Sequence, residues 1–537
     1  MRSDDAAQLR MGRLALSLIS ATACVLFVAG AIAFYFGPIF ASWLNSDAAV
    51  PVLLANEILR TGLPVPSSWY FGNDEIWTLA PQVFAMPFVA TLGVSALALK
   101  LGNLLCLGVA VSFVTLSLHR VTRSWPFAIL VAAGVLAPFS GLQEAAVYSQ
   151  TAYGWFTAQF ALLIYLAIRM QDERGGEPWR LFGRVPWTAA LYALFIANLA
   201  IDSPMRAGAY WVLPVLAVTL AFPISRMRSR ALIAWTLVAF LVGAWLHYVI
   251  SKHVLSDAGV TRRLLNIDEW RTNLARIWVG LPMLTGWMQA PYASVFGVLD
   301  RARFCVMALA AFVVLLAPAG NGEGSAECRF FARVAGVMLL VVLVVLTVGR
   351  LNVDPSCDRY LLAPALLSLA AFMAILWCRF RSNSRSIAAI AGIFVVMFCG
   401  AAVMRVSRLG SIAFDRPCDA PANACRLESV LAKTGLRRGF ATYWKGNVTT
   451  VISEGRIETC GVSLKPQLAP FRWLVSKDCF DPPADRYFLA LTQPEIAAVG
   501  RPLLISEAGA PEQIVTADEY EIWIYSAASA KLDWLRR

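Results

Sequence analysis

The chain has 537 residues, 58% of them hydrophobic and 15% charged, with a mean hydropathy of +0.63. A soluble protein of this length would carry roughly a quarter charged residues, so the composition excludes a soluble enzyme and indicates a polytopic membrane protein. The formal net charge of +12 does not point to nucleic acid: 17 arginines fall into six short segments between apolar spans, which is the positive-inside distribution.

Eleven apolar segments can be placed, near 14–36, 94–118, 126–142, 154–169, 187–201, 208–224, 231–250, 304–319, 334–349, 360–378 and 386–404. The first follows Arg10 and Arg13, is too long for a signal peptide and lacks a small-residue cleavage site. It reads as a retained helix with a cytoplasmic N-terminus. Counting from there puts all six arginine segments in the cytoplasm and leaves 37–93, 143–153, 202–207, 251–303, 350–359 and the chain after about 405 outside. Of the two long outer loops, 37–93 is rich in acids and aromatics. The other, 251–303, ends in a Pro- and Gly-interrupted apolar run, 277–299, that suits a partial or re-entrant segment.

Beyond Arg405 charges are interspersed and no segment is long enough to span. The expected domains are therefore a membrane domain, 1–404, and a small α/β domain outside the membrane, 405–537. Within the latter, Gly439–Trp444, Val448–Ile452, Tyr487–Leu491 and Tyr520–Tyr525 read as strands and Arg426–Leu436 as a helix. Four of the 11 cysteines lie here: Cys418, Cys425, Cys460 and Cys479. An even number in an oxidising compartment favours two disulfides, with Cys418–Cys425 the foremost pairing of the three arrangements.

Asp47, in Asn45-Ser46-Asp47-Ala48, follows the first span by about eleven residues and is placed to act as a general base on an acceptor hydroxyl. A solvated loop carboxylate is the competing reading. Asp74 and Glu75 are adjacent acids between aromatics, suited to a divalent cation or to plain exposure. Lys100, the only lysine before Lys252, lies near the outer end of its helix. It either snorkels to the interface or meets a lipid phosphate. Glu144, Asp202, Arg206, Asp358, Arg359 and Tyr360 all fall at outer helix ends, where ionisable groups line cavities or substrate paths, and arginine suits phosphate. Structural ion pairs are the alternative for Asp202–Arg206 and Asp358–Arg359. No Walker, dinucleotide or His-Glu-x-x-His motif is present, so the sequence gives no nucleotide cofactor, and energy for a transfer outside the membrane must arrive with a lipid-linked substrate.

In this order, the early acid Asp47, Leu59-x-x-Gly62, and Trp69-Tyr70-x-Gly72-x-Asp74-Glu75 resemble the GT-C superfamily of polytopic glycosyltransferases. The likeness is to the bacterial aminoarabinose transferases of lipid A and to protein O-mannosyltransferases. Asp47 matches the catalytic acid of the family's first loop, and Asp74 and Glu75 match its second acidic position, where relatives bind metal or orient substrate. Lys100 matches a basic residue early in the second helix. Arg359-Tyr360-Leu361-Leu362, followed by Pro364, resembles an outer-loop element near the lipid phosphate. The chain departs from the closest relatives in having Ile76-Trp77-Thr78 where they carry Lys-Pro-Pro. The tail segment from Tyr443 to Gly455 is similar to soluble tails of bacterial members and adds no mechanism.

The resemblance implies a GT-C-like fold of about 11 transmembrane helices in the bacterial inner membrane, with the C-terminal domain in the periplasm. It also implies an inverting glycosyltransferase that moves a sugar from a polyprenyl-phosphate donor to a cell-envelope glycan or lipid, such as lipopolysaccharide, with a protein acceptor left open. Asp47 would be the base; Lys100, Arg206, Arg359, Tyr360, Glu144 and Asp202 would bind substrate and phosphate; a divalent cation would sit at Asp74 and Glu75. Two rivals stay open: a flippase for lipid-linked sugars, and an O-antigen ligase or polymerase.

Overall fold

A run of some twenty apolar residues in a bilayer has no water to satisfy its backbone, and the helix is the form that satisfies itself. Each of the eleven expected segments coincides with helix in a computed structural model of the chain. It describes residues 3–172, 187–222, 226–254, 265–285, 295–316, 325–349, 359–403, 423–482, 486–517, 519–526, 529 and 531–536. Asp358, Cys418 and the middle of the 277–299 run lie outside the described residues.

Seven helices are long and apolar enough to cross a membrane: Leu14–Phe36, Ala96–Thr122, Pro204–Ala221, Arg228–Val254, Ala326–Val348, Arg359–Phe380 and Ser384–Val403. An eighth span results if Trp125–Leu136 and Gly141–Ser149, bent by 92° at their break, count together. The protein is thus a multi-pass membrane protein with seven to eight such helices among the described residues. The remaining expected spans are helical but fall short for physical reasons. Trp187–Asp202 has only 16 residues. Val295–Leu316 contains Asp300, Arg301 and Arg303, and Ala152–Asp172 buries Thr157 and Gln159.

The chain divides into two compact units. One comprises 1–34, 106–248 and 260–409 and is helical. Its interior is close-packed apolar side chain with a few polar anchors. Asn273, on the amphipathic Ile267–Gly280 helix, donates to the carbonyls of Leu346, Thr347 and Gly349 at 3.1–3.2 Å, satisfying the open end of the Ala326–Val348 helix. Arg303 is 3% exposed, ion-paired with Asp300, and donates to the Met397 carbonyl at 3.0 Å.

The second unit comprises 35–105, 249–259 and 410–537. It contains the eight strands found among the described residues: β1 (Trp69–Tyr70), β2 (Arg438–Thr442), β3 (Glu458–Ser463), β4 (Ala469–Pro470), β5 (Val475–Ser476), β6 (Tyr487–Thr492), β7 (Gln513–Ala517) and β8 (Tyr520–Tyr525). Six form one sheet in the order β4-β3-β2-β6-β8-β7, with β2 parallel to both β3 and β6 and the other pairs antiparallel. β6 is buried along its whole length, as a central strand covered on both faces must be. Tyr487, Leu489 and Leu491 face one core with Phe440, Trp523 and Trp534, and Phe488 and Ala490 face the other with Leu427, Leu431 and Ile522.

One expected strand is a helix. Val448–Ile452 is a run of β-branched residues, yet it lies in the helix Tyr443–Ile452. The reason is tertiary: β2 and β3 are parallel neighbours, and parallel neighbours need a crossover, usually a helix. The loop 37–93 is likewise largely helical, with Pro38–Trp43, Ser46–Thr61 and Gln82–Leu92. β1 within it pairs with β5 of the C-terminal segment, Trp69 opposite Ser476 and Tyr70 opposite Val475. Cys460 on β3 is disulfide-bonded to Cys479, 19 residues on, and Cys425 is also in a disulfide.

Candidate active site

The early acid sits at a helix start that the local sequence specifies. Asn45 caps the Ser46–Thr61 helix, its side chain accepting from the Ala48 N–H at 3.0 Å, and Gly62 (φ 71°) ends it in the left-handed conformation that glycine allows. Asp47 therefore occupies the first turn, where the helix dipole favours a negative charge.

What the sequence did not disclose is its partner. The Tyr443 hydroxyl donates to Asp47 Oδ1 at 2.5 Å, and the Ser46 hydroxyl donates to the Tyr443 carbonyl. Tyr443 is the first residue after β2, at the start of the crossover helix. Its ring is held by Trp444 and Phe471, each with centroids 5.2 Å away. Two polar contacts thus tie the start of the early helix to one tail residue nearly 400 positions downstream.

The second acidic position is a tight turn. Asn73 and Asp74 both have left-handed backbones (φ 59° and 60°), which Asn and Asp tolerate better than most residues, and the Glu75 N–H donates to the Gly72 carbonyl at 3.1 Å. Gly72 is required here: a Cβ would lie 2.6 Å from Cδ2 of Trp473. Asp74 is exposed and Glu75 half-buried.

Lys100 is 7% exposed, with its ammonium 5.5 and 5.4 Å from the ring centroids of Phe36 and Phe40. Those rings give the cation an electrostatic seat. Among the described residues it makes no hydrogen bond or ion pair. Phe40 belongs to Pro38–Trp43, the short helix leading directly into the one that carries Asp47.

The other expected residues lie in the first unit. Glu144 is 2% exposed at the start of a π-helical turn, Glu144–Ser149. Asp202 is buried and accepts from the Asn198 amide at 3.4 Å. The guanidinium of Arg206 lies 4.7 Å from the Phe156 ring centroid. Phe156 meets Tyr153 edge-on at 6.0 Å, and Tyr153 meets Tyr360 at 6.1 Å. Arg359 lies 5.8 Å from the Tyr360 ring, and the Tyr210 hydroxyl donates to the Tyr360 carbonyl at 2.7 Å. An aromatic row therefore joins Arg206 to Tyr360, beside Arg359.

For a metal, three or more ligand atoms must converge. Among the described residues the group that does so is Glu458, Cys460 and Cys479, buried or half-buried, with ligand atoms within 4.8 Å of one another. Its two sulfurs are bonded to each other, so they are not thiolates free to ligate. Asp74 and Glu75 are not part of that group, and no such set forms around them among the described residues.

Near the Asp47 partner, Lys445 donates to both oxygens of Glu495 at 2.9 Å. Burial works to raise the Glu495 carboxyl pKa. The Lys445 ammonium, the Thr442 hydroxyl and the Thr492 N–H outweigh it and hold that pKa below its ordinary value.

The architecture is that of a multi-pass helical membrane protein with a β-rich C-terminal domain. No family model matches the chain, and no curated protein matches it. Solved structures are similar to it over most of its length. Cupriavidus metallidurans ArnT bound to undecaprenyl phosphate is 12% identical, with a TM-score of 0.49 over 95% of this chain and 99% of that one. The apo state of the same protein gives 12%, 0.42, 95% and 98%. An Archaeoglobus fulgidus oligosaccharyltransferase in complex with zinc and sulfate gives 11%, 0.43, 92% and 72%. At these values the likeness carries no argument about chemistry.

Proposed function

We propose that the chain is an inverting glycosyltransferase of the GT-C type. It takes a sugar from a polyprenyl-phosphate donor and passes it to a hydroxyl of a cell-envelope glycan or lipid. The reading places 1–404 in the bacterial inner membrane, the N-terminus in the cytoplasm, and the reaction and 405–537 on the periplasmic side. The observation that carries it is Lys100, a buried cation without an anion among the described residues, seated on the helix that leads into the Asp47 helix. A buried charge is costly unless something completes it, and a lipid phosphate has the charge to do so.

In the reaction the Asp47 carboxylate takes the proton of the acceptor hydroxyl as its oxygen bonds to the anomeric carbon. The bond from that carbon to the phosphate oxygen breaks on the opposite face, and the lipid phosphate leaves with the electron pair. Lys100 stabilises the developing charge. The same reading assigns substrate and phosphate binding to Arg206, Arg359 and Tyr360, with the buried acids Asp202 and Glu144. No step is routed through a metal.

The test is sugar transfer from polyprenyl-phosphate donors to an envelope-lipid fraction in vesicles, comparing wild type with Asp47→Asn at matched expression. Loss of a general base predicts a fall of about a hundred- to ten-thousand-fold. Equal transfer by both proteins removes Asp47 from the mechanism. Protein-dependent translocation of the lipid-linked sugar with no transfer replaces the reading with a transporter.

A further inference from the structure

The tail of a membrane enzyme is easily read as an accessory. The contact at Asp47 says otherwise. A side-chain hydroxyl of the C-terminal segment donates to the proposed base, and it comes from the residue that follows β2 and begins the crossover helix. That junction is among the stiffest places a residue can occupy. β2 is paired on both sides, by β3 and β6, and Gly446 in the helix sits so close to β3 that an added Cβ would lie 3.3 Å from the Gly461 nitrogen and the Thr459 carbonyl. The Asn447 amide anchors the same helix to the Leu474 carbonyl at 3.0 Å. The Tyr443 ring is then packed between Trp444 and Phe471, and its carbonyl is held by Ser46.

A carboxylate has two oxygens, and a base needs one of them aimed at the proton it takes. A fixed donor on Oδ1 stops rotation of the carboxyl group and so sets the direction of its other oxygen. We infer that Tyr443 is a positioning residue for the transfer reaction: its hydroxyl fixes the Asp47 carboxylate through Oδ1, so that the C-terminal domain completes the active site. Tyr443 keeps its proton throughout. The inference rests on the glycosyltransferase reading, because it needs Asp47 to be the base. Of the charged groups on these elements, Lys445 on the crossover helix pairs with Glu495 on the helix after β6, and Glu57 pairs with Arg60 on the Asp47 helix.

The experiment uses full-length protein in vesicles with a polyprenyl-phosphate donor and measures kcat, acceptor KM and the kcat–pH profile for wild type, Tyr443→Phe and Asp47→Asn. Phenylalanine keeps the ring and its packing and removes only the hydroxyl; the thermal unfolding midpoint checks the fold. The expected result for Tyr443→Phe is a fall in kcat of about a hundredfold with acceptor KM within about twofold. The acid limb of the profile should also move to higher pH, because a donor to the ionised carboxylate has been lost. Unchanged kcat and profile in Tyr443→Phe, with Asp47→Asn inactive, overturns the inference and leaves the function standing. A lower kcat with an unmoved profile and a lowered unfolding midpoint makes the tyrosine merely structural and also overturns it. Full activity in Asp47→Asn overturns the function and the inference together.

Discussion

Two buried cations, one in each unit, show how differently a charge can be kept inside this protein. Arg303, 3% exposed, is paired with Asp300 and donates to the Met397 carbonyl, so its charge is answered by the helices around it. Lys100, 7% exposed, has only the faces of Phe36 and Phe40 and no acid among the described residues. Burying a paired charge specifies how helices pack; burying one without a counter-ion costs stability and is kept where an anion visits. The first is architecture, and the second is where we propose that the donor phosphate binds.

Substitution separates the two. Lys100→Met should lower transfer by about a thousandfold, ~4 kcal/mol of transition-state stabilisation, with an unfolding midpoint no lower than wild type. A lowered midpoint with turnover intact would make Lys100 another Arg303. Arg303→Met should do the reverse: it strands Asp300 in the interior and costs about 3 kcal/mol, read as a loss of folded protein in detergent, with kcat of the surviving fraction unchanged.

The C-terminal domain sharpens the contrast further, since its stability comes from outside the bilayer. Replacing Cys460 and Cys479 together by serine opens a loop of about twenty residues. It should cost about 3 kcal/mol, measured as a fall in the domain's unfolding midpoint that reductant reproduces in wild type. The smallest effect is expected at Lys445→Met, about 1 kcal/mol. Its signature is the pH dependence. The Glu495 pKa is held below its ordinary value, so the ion pair's contribution is fully present above that value and is lost as pH falls through the depressed one. The variant should lose that acid sensitivity. Equal acid slopes for variant and wild type would remove the pair from the domain's stability.

The expected residues were legible to different degrees for reasons each carries. Asp47 could be singled out because an acid soon after a long apolar span, in a loop rich in acids and aromatics, is conspicuous, and Asn45 and Gly62 mark its helix at both ends. Tyr443 could not: a tyrosine after a short strand is ordinary, and nothing local points to a partner 396 residues away. Val448–Ile452 misled because β-branched residues favour strands in isolation, while the parallel register of β2 and β3 demands a helix there. The helices of the expected spans were legible because periodicity and hydropathy find helices. Whether a helix such as Val295–Leu316 crosses depends on what its Asp300 and Arg303 are paired with.

By itself the sequence determined the helical membrane class, the acids of the 37–93 segment, the basic residues at helix ends and a tail that mixes strands with helix. These follow from hydropathy, charge spacing and caps, which act over a few residues. Tertiary structure alone decided that Tyr443 is the donor to Asp47, that β1 pairs with β5 of the tail, and that Trp473 forces a glycine at position 72. Each of those is a contact between segments hundreds of residues apart, and a chain's local preferences carry no record of which distant neighbour the fold will supply.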